Sequence, residues 1–326
     1  MATTQLTDII EPSKFTDYIL ENTATKSNLL QSQLLVRNAQ IVQFLQSGST
    51  SFNTPFWRDI ADGADADIIS DNPDEHSTPK KISSYKQVTR KAYLHNSWSS
   101  MGLSAEIAGS NPLEAIQERV TAYWDNQLQK RLISTAKGIL ASNIANNGGD
   151  MVLDITSAKT NKFNAHAVID TAGTLGDNYN SIVAIAMHSK VYFDALKNDL
   201  LQTVQDSQGK PFHTFRGLMV IVDDGLTPDG ENYVTVLLGT GAFGYGIAPP
   251  KHSNATALEV IESAGYGGGM QILHSRLNMA IQPLGFSWIE NDLQGESPTI
   301  AELAKAEHWK RITERKNIPM AFLISK

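Results

Sequence analysis

The strongest candidate for chemistry in this sequence is a glycine-rich run at residues 239–244, GTGAFG. The run follows a predicted strand and matches GxGxxG, and Glu262 lies at about the spacing of a ribose-binding acid. A dinucleotide site also needs a helix that begins at these glycines, so that its N-terminus meets the pyrophosphate. Pro249 and Pro250 leave too few residues for that helix. The run therefore predicts a turn between two elements and not a nucleotide site.

The other polar candidates give weaker signals. Asp223 and Asp224 end a predicted strand, but neighbours on an extended chain point to opposite faces, which favours a DDG turn over a catalytic pair. His188 precedes Ser189 without a GxSxG elbow, so Ser189 is predicted to cap a helix. The histidines have no spacing typical of a metal site; they are His76, His95, His166, His188, His213, His252, His274 and His308. We therefore predict no catalytic, cofactor-binding or metal-binding residue and no cofactor.

The composition excludes several further classes of protein. The 326 residues carry a formal net charge of -7, which disfavours tight, general binding to nucleic acid or anionic membranes. Without cysteine, the chain has no disulfide, thiol nucleophile or Cys-ligated metal. No apolar run reaches the roughly 18 residues of a membrane span, and the N-terminus lacks the features of a secretory signal. The composition therefore predicts a globular protein that does not bind membranes, and the empty search for chemistry predicts that it is not an enzyme.

A reversal of charge marks residues 59–91. The segment 59–75 holds seven acidic residues and no Lys or Arg, whereas 80–91 holds five basic residues and no acid. The basic part alternates like a strand, and Pro73 and Pro79 oppose a helix at the tip. The pattern predicts a long projecting hairpin or loop with an acidic and a basic limb. Solvated charge on both limbs is the alternative interpretation.

A single long helix is predicted from Pro112 to Asn146. Asn111 fits its N-cap and Pro112 its first position, and Gly138 is its only weak point. The helix would be about 50 Å long and carry one apolar stripe. The predicted core residues of this helix are Leu113, Ile116, Val120, Trp124, Leu128 and Leu132.

The remaining pattern predicts an α+β or mixed α/β chain without internal repeats. An apolar helix is predicted at 22–46, which needs a partner surface on a neighbouring copy or in its own core. Further helices are predicted at 164–175, 190–198 and 299–312. Strands are predicted at 181–187, 215–222, 233–238, 257–262, 270–289 and 318–324.

In this order, the segments resemble the major capsid proteins of tailed bacteriophages and prophages, which have the Hong Kong 97 phage-type fold. The resemblance covers most of the chain after about residue 50, and it depends on the ordered set rather than on any one motif. The matching segments are FNTPFWRDI, KQVTRKAYLHNSWSS, SAEIAGSNPLEAIQERVTAYWDNQLQKRLISTAKG, LGDNYNSIVAIAMHSKVYFDALK, FRGLMVIVDDG, YVTVLLGTGAFGYG, SPTIAELAKAEHW and KNIPMAFLIS.

The resemblance implies an α+β fold in six parts. These are an N-terminal arm at 1–50, an extended loop at 51–110, a spine helix at 111–149, an axial domain at 150–264, the long strand of a peripheral domain at 265–291, and a helix and strand at 292–326 that return to the axial domain. It implies an axial loop with Gly239, Gly241 and Gly244. It also implies that the extended loop lies over a neighbouring subunit, with contacts from Asp62, Asp65, Asp67, Asp71, Lys80, Lys81, Lys86, Arg90 and Lys91.

The function implied by the resemblance is structural. Pentamers and hexamers of the chain would form an icosahedral virion shell around the phage genome, after assembly in the host cytoplasm. The implied partners are other copies of the chain, a separate scaffold protein, a portal protein and weakly held double-stranded DNA. Two alternatives remain: the shell of a bacterial nanocompartment that encloses enzymes, and an oligomeric α/β enzyme that uses residues 239–244.

Overall fold

Two β-sheets pack against one long helix. The computed structural model describes residues 35–58, 68–69, 71–74, 76, 81–102, 112–205, 211–227 and 232–326. The helices are α1 (Ala39–Leu45), α2 (Pro112–Asn146), α3 (Ala165–Gly173), α4 (Ser189–Lys197) and α5 (Ile300–Leu303). The strands are β1 (Leu35–Arg37), β2 (Ser51–Trp57), β3 (Ser84–Arg90), β4 (Ala92–Met101), β5 (Val152–Asp154), β6 (Ile182–Met187), β7 (Gln202–Gln205), β8 (Pro211–Phe215), β9 (Leu218–Val222), β10 (Tyr233–Gly239), β11 (Phe243–Ala248), β12 (Thr256–Ile261), β13 (Met270–Pro283), β14 (Phe286–Trp288), β15 (Trp309–Arg311) and β16 (Met320–Ser325).

The seven-stranded sheet has the order β5-β16-β10-β6-β9-β8-β7. Its central strands are apolar on both faces, because alternate residues point to opposite sides. Phe322 of β16 packs in the core shared with α2, whereas its neighbour Leu323 packs in a second core with residues of α3 and α4. The sheet is therefore enclosed between the long helix and two short ones.

The five-stranded sheet is organised by β13, which is 14 residues long. The strand pairs along one edge with β4 and along the other with β12 and then β11, and β1 adds to β11 in parallel. Leu273 and Leu277 of β13 pack in the core that contains α2. Ala280 belongs instead to a small cluster with Ile41 and Leu45 of α1. This sheet therefore lies between α2 and α1.

The long helix runs from Pro112 to Asn146, as predicted. The N-terminal half of the helix buries one stripe of residues, as predicted. The C-terminal half is enclosed on most sides, so the prediction of a single buried stripe was wrong there. Arg131 is only 7% exposed and donates Nη1 to the Pro298 carbonyl at 2.8 Å. Ser142 is buried and donates to the Trp309 carbonyl at 2.7 Å. The C-terminal segment of the chain covers this second face of the helix. The sequence did not indicate that the face is buried, because it carries several polar residues.

The predicted arm helix at 22–46 is corrected by the structure. Residues 1–34 of the chain lie outside the described part. Within the rest of the predicted range, the helix is the short α1, which begins after its N-cap residue Asn38. The Asn38 side chain accepts a hydrogen bond from the backbone N–H of Gln40 at 2.9 Å, and β1 precedes it. Ile41 and Leu45 are each 1% exposed within their own chain. This part of the arm is therefore core, as the alternative interpretation held.

Three other predicted elements are broken by local backbone geometry or by packing. The strand at 215–222 becomes the β8–β9 hairpin, because Arg216 and Gly217 both have positive φ. The strand at 270–289 divides into β13 and β14. The segment predicted as a helix at 299–312 is helical only over α5, and then forms a 3-10 turn and β15.

The N-cap residue of α4 is His188 and not the predicted Ser189, since His188 Nδ1 accepts a hydrogen bond from Lys190 N.

The predicted boundary of the domain at 150–264 also changes. The strands β11 and β12 fall within that range, yet they pair with β13 in the five-stranded sheet. The chain therefore leaves the seven-stranded sheet at the end of β10, near Gly239. A sequence pattern locates strands but does not give their partners, which explains the error.

The start of α5 holds a carboxylate with a strongly lowered pKa. Glu302 is 3% exposed and accepts hydrogen bonds from Thr299 N at 2.7 Å, Gln294 N at 2.8 Å and Thr299 Oγ1 at 2.8 Å. The backbone N–H groups of Thr299 and then Gln294 lower the Glu302 pKa from 4.5 to about 2, although burial acts in the opposite direction. Such a carboxylate stabilises the fold above its unfolded pKa and loses that effect as the pH falls through the folded pKa.

We expect Glu302→Gln to lower the unfolding temperature at pH 7 and to flatten its dependence on pH between 4.5 and about 2. The amide cannot lose a proton, so it lacks the contribution that the wild type loses on acidification. Calorimetry across this range measures both effects. The control Glu307→Gln changes a half-exposed carboxylate and should leave the wild-type profile intact. Identical profiles for Glu302→Gln and the wild type would contradict the assignment.

Candidate assembly surface

The base of the predicted hairpin is a two-stranded antiparallel ribbon. The strands β2 and β3 pair from Ser51 opposite Arg90 to Trp57 opposite Ser84. One further hydrogen bond, from Arg58 N to Ser83 O at 2.8 Å, extends the ribbon toward its tip. The charge reversal therefore predicted the hairpin correctly at its base.

The half of the ribbon nearest the body is fixed by hydrogen bonds to the β13–β14 turn. Gln87 is 8% exposed, and its amide Nε2 donates to the carbonyls of Pro283 at 2.6 Å and Phe286 at 2.7 Å. Val88 N donates to Ser287 Oγ at 2.9 Å. The distal half has a different character, because Trp57 at its end is 69% exposed. The ribbon thus has an anchored root and an exposed outer part.

Two of the residues predicted to contact a neighbouring subunit are committed to their own chain, which corrects that prediction for them. Lys91 is fully buried, and its ammonium donates to the Ser47 carbonyl at 2.8 Å and the Gly48 carbonyl at 3.1 Å, near the end of α1. Burial lowers the pKa of Lys91. The guanidinium of Arg90 is 7% exposed and pairs with Glu290. The sequence identified the basic residues of this strand, but its alternation did not show whether each side chain faces solvent or the protein core.

The other charged residues of this set fall into two groups. Asp71, Lys81 and Lys86 are exposed on the ribbon and the loop beyond it. Four predicted residues lie outside the described part of the chain: Asp62, Asp65, Asp67 and Lys80. The inter-subunit role of these seven residues stays a prediction.

Exposed apolar residues on the same loop were missed by the sequence analysis. Besides Trp57, Ile68 is 94% exposed, Ile69 is 97% exposed and Ile82 is 51% exposed. The aliphatic pair within the acidic run 59–75 was the signal that could have indicated Ile68 and Ile69. Several large apolar side chains exposed within one stretch of the chain are typical of a segment that a partner covers.

The predicted core residues of α2 lie where the two sheets meet. Leu113, Val120, Trp124, Leu128 and Leu132 are each at most 4% exposed, and Ile116 packs partly buried against the same core. The indole Nε1 of Trp124 donates to Ser275 Oγ of β13 at 2.9 Å. The helix thereby fixes the five-stranded sheet, from which the ribbon leaves the body.

The predicted axial loop with Gly239, Gly241 and Gly244 is the connection from β10 to β11, and its place at a symmetry axis stays a prediction. It is a tight connection between the two sheets: Gly239 ends β10, and Gly244 lies within β11 opposite Val36 and Gln282. Only Gly241, with a φ of 73°, occupies the turn itself. A side chain at Gly239 would meet Ser181 O at 2.5 Å. Close packing explains the glycine at 239, whereas Gly241 has open space around it and is explained by its positive φ.

Two histidines on neighbouring strands form a short hydrogen-bonded chain. His95 Nε2 lies 3.1 Å from His274 Nδ1, and His274 Nε2 lies 3.0 Å from Glu259 Oε2. Burial, followed by Arg276 and His274, lowers the pKa of His95. Nothing in the described ranges groups three or more His, Cys, Asp or Glu side chains as a metal site would. These residues therefore link three strands and were missed because strand pairing, not sequence spacing, brings them together.

The fold defines the class of protein. A long helix between two sheets, with a ribbon that leaves the body, is the α+β architecture of Hong Kong 97-type capsid proteins. The chain superimposes on the capsid asymmetric unit of cyanophage Pam1 with a TM-score of 0.58 at 9% identity, covering 93% of this chain and 92% of that one. For the capsid of Ralstonia phage GP4 the TM-score is 0.53 at 7% identity, covering 90% and 87%.

The sequence comparisons identify the family. Residues 54–319 match the family described as Gp13-like, major capsid protein 13-like. The chain is also 32% identical over 326 residues to the major capsid protein of Bacillus phage SPP1, covering 98% of this chain and 97% of that protein. The chain belongs to the Gp13-like family of major capsid proteins. In the part of the chain that is described, we find no helix with the length and apolar character of a membrane span.

Proposed function

We propose that this chain, as a phage major capsid protein, forms a closed icosahedral shell of pentamers and hexamers around the genome. The observation that carries the proposal is the ribbon, which is anchored at its root and exposes large apolar side chains beyond it. Trp57, Ile68 and Ile69 are all more than two-thirds exposed in the isolated subunit. A neighbouring copy of the same chain that covers them would remove this apolar surface from water.

The charged limbs of the loop favour one relative orientation of the two copies at that contact. The acidic limb carries Asp62, Asp65, Asp67 and Asp71, and the basic limb carries Lys80, Lys81 and Lys86. We infer that opposite limbs of adjacent copies meet and set the register between subunits. Each exposed pair contributes at most about 1 kcal/mol, but a shell repeats the contact at every subunit.

The remaining partners follow from the same role. A net charge of -7 supports only weak contact with packaged double-stranded DNA, which lets the genome move during packaging and release. We propose a separate scaffold protein and a portal protein as assembly partners, with assembly in the host cytoplasm and no catalytic activity of the chain itself. Membership of a major capsid protein family favours this role over a nanocompartment shell.

Trp57→Asp is expected to abolish most shell assembly while changing the unfolding temperature of the subunit by less than about 2 °C. The side chain is 69% exposed, so the isolated subunit loses little packing, but the charge would be buried at the contact. Sedimentation measures assembly, and calorimetry measures stability on the same preparation.

The matched control for this substitution is Trp57→Phe, which keeps an aromatic surface at the same position. This variant should assemble at close to the wild-type yield. If Trp57→Asp assembles normally, or if its yield falls only in step with its unfolding temperature, the ribbon does not carry the contact.

A further inference from the structure

A small, partly open cavity lies where the root of the ribbon meets the long helix. Strand β3, helix α2, strand β14 and the segment around α5 all contribute to its lining. The four polar residues that matter here are Thr89, Arg90, Arg131 and Trp288. The sequence analysis predicted Arg90 only as a contact with a neighbouring subunit, and it assigned no binding role to the other three.

Each of these four residues keeps a buried hydrogen-bonding atom without a protein partner. The atoms are Thr89 Oγ1, Arg90 Nε, Arg131 Nε and Trp288 Nε1, and none has a partner among the described residues. Three are N–H donors, and the fourth is a hydroxyl that is also able to donate. Buried polar groups are almost always satisfied, and each orphan costs free energy. Four such groups around one cavity therefore indicate a shared hydrogen-bond acceptor within it.

The charge around the cavity indicates which kind of acceptor. Arg90 is balanced by Glu290. Among the described residues, the one hydrogen bond that the Arg131 guanidinium makes is to a neutral group, the Pro298 carbonyl, and no carboxylate there lies within ion-pair distance of it. Burial lowers the pKa of Arg131 only to about 10, so the guanidinium stays cationic at neutral pH. A buried, uncompensated cation is strongly unfavourable unless it has a partner of opposite charge.

The size of the cavity restricts the anion. The space open to a water-sized particle is about 20 Å³. A cavity above roughly 10–15 Å³ accepts one particle of that size. A monatomic anion needs the least of this space, whereas phosphate, sulfate and carboxylate groups have several heavy atoms and need more.

We propose that this cavity binds a single halide ion, chloride under ordinary conditions, between Arg131, Arg90, Trp288 and Thr89. The ion accepts hydrogen bonds from the four donors and compensates the charge of Arg131. It thereby joins the ribbon root to the long helix, so that anion binding stabilises the geometry with which the ribbon leaves the body. The site is independent of the proposed shell contact, which involves the outer part of the ribbon.

The direct test uses bromide as the probe on crystals of the wild-type, full-length chain. Anomalous diffraction at the bromine absorption edge locates bromide without any substitution. We expect one strong anomalous peak within the cavity, in contact with Arg131 Nε and Trp288 Nε1. A cavity without bromine signal, at a bromide concentration that labels other surface sites, would overturn the proposal and assign the density there to water.

The same proposal predicts a chloride-specific stabilisation. Calorimetry of the wild type in sodium chloride and in sodium gluconate, at equal concentrations, should give a higher unfolding temperature in chloride. The difference should grow with concentration as ligand linkage requires. Gluconate is too large for the cavity, so general salt effects cancel in the comparison.

Two substitutions locate this effect, and a third is the matched control. Arg131→Met should abolish the difference between chloride and gluconate, and the milder Thr89→Val should raise the chloride concentration for half the effect several-fold. Arg276→Met is the control, because Arg276 also donates Nη1 to a single carbonyl, that of Asn254, but lies away from the cavity. Equal stability of the wild type in both salts would overturn the proposal, and so would a chloride effect that survives both Arg131→Met and Thr89→Val.

Discussion

Trp124→Ala is expected to lower the free energy of unfolding by about 3–5 kcal/mol, which is the range for a fully buried tryptophan. Trp124 is 1% exposed and lies in the core between α2 and the two sheets. Its ring also contacts Tyr123 edge-on, with centroids 5.1 Å apart, and its Nε1 donates to Ser275. Because most domains are stable by only 5–15 kcal/mol, we expect insoluble protein or a much lower urea midpoint rather than altered assembly.

The control for Trp124 separates the hydrogen bond from the packing. Ser275→Ala removes the acceptor and should cost about 1–3 kcal/mol, since it leaves the buried indole N–H without a partner. A Trp124→Ala variant that folds, with a urea midpoint within error of the wild type, would mean that the helix does not connect the two sheets.

Gly138→Ala is expected to destabilise the subunit by about 1–3 kcal/mol, although alanine is the better helix former by about 1 kcal/mol. A methyl group at Gly138 would meet the Leu303 carbonyl and would lie 2.5 Å from Trp309 Nε1. These two groups are themselves hydrogen-bonded at 2.8 Å. The C-terminal segment must therefore move away from α2 to accommodate the added carbon. Urea denaturation at pH 7 measures the effect.

A second helical glycine provides the control for Gly138. Gly173 ends α3, and a side chain there would meet nothing within 4 Å. Gly173→Ala should leave the stability unchanged or raise it slightly. If both variants gain stability, the close approach between the helix and the C-terminal segment is not a constraint, and Gly138 is only the weak point that its sequence suggests.

Local patterns predicted the elements that local chemistry determines. The helix from Pro112 to Asn146 was found because it has a proline start, a long apolar recurrence and terminal glycines just beyond Asn146. The ribbon was found at its base because a charge reversal lies between two extended segments. The Hong Kong 97-type fold followed from the ordered resemblance and not from either element alone.

The errors arose where tertiary contacts decide the outcome. The apolar segment at 39–45 was read as part of a longer arm because nothing in its sequence shows that it packs on Ala280 and Ala248. Lys91 was grouped with surface charges, although its buried ammonium lies near the end of α1. The four donors around the small cavity at the ribbon root come from β3, α2 and β14, so no sequence window contains them together.

The most direct test of the account is electron microscopy of the overexpressed, purified, full-length chain, with sedimentation of the same sample. A shell subunit with an exposed ribbon should give closed shells, tubes, or rings of five or six copies, and Trp57→Asp should remove them. A homogeneous, compact dimer with no larger species, under conditions where the chain is fully folded, would contradict the assembly role proposed for this protein.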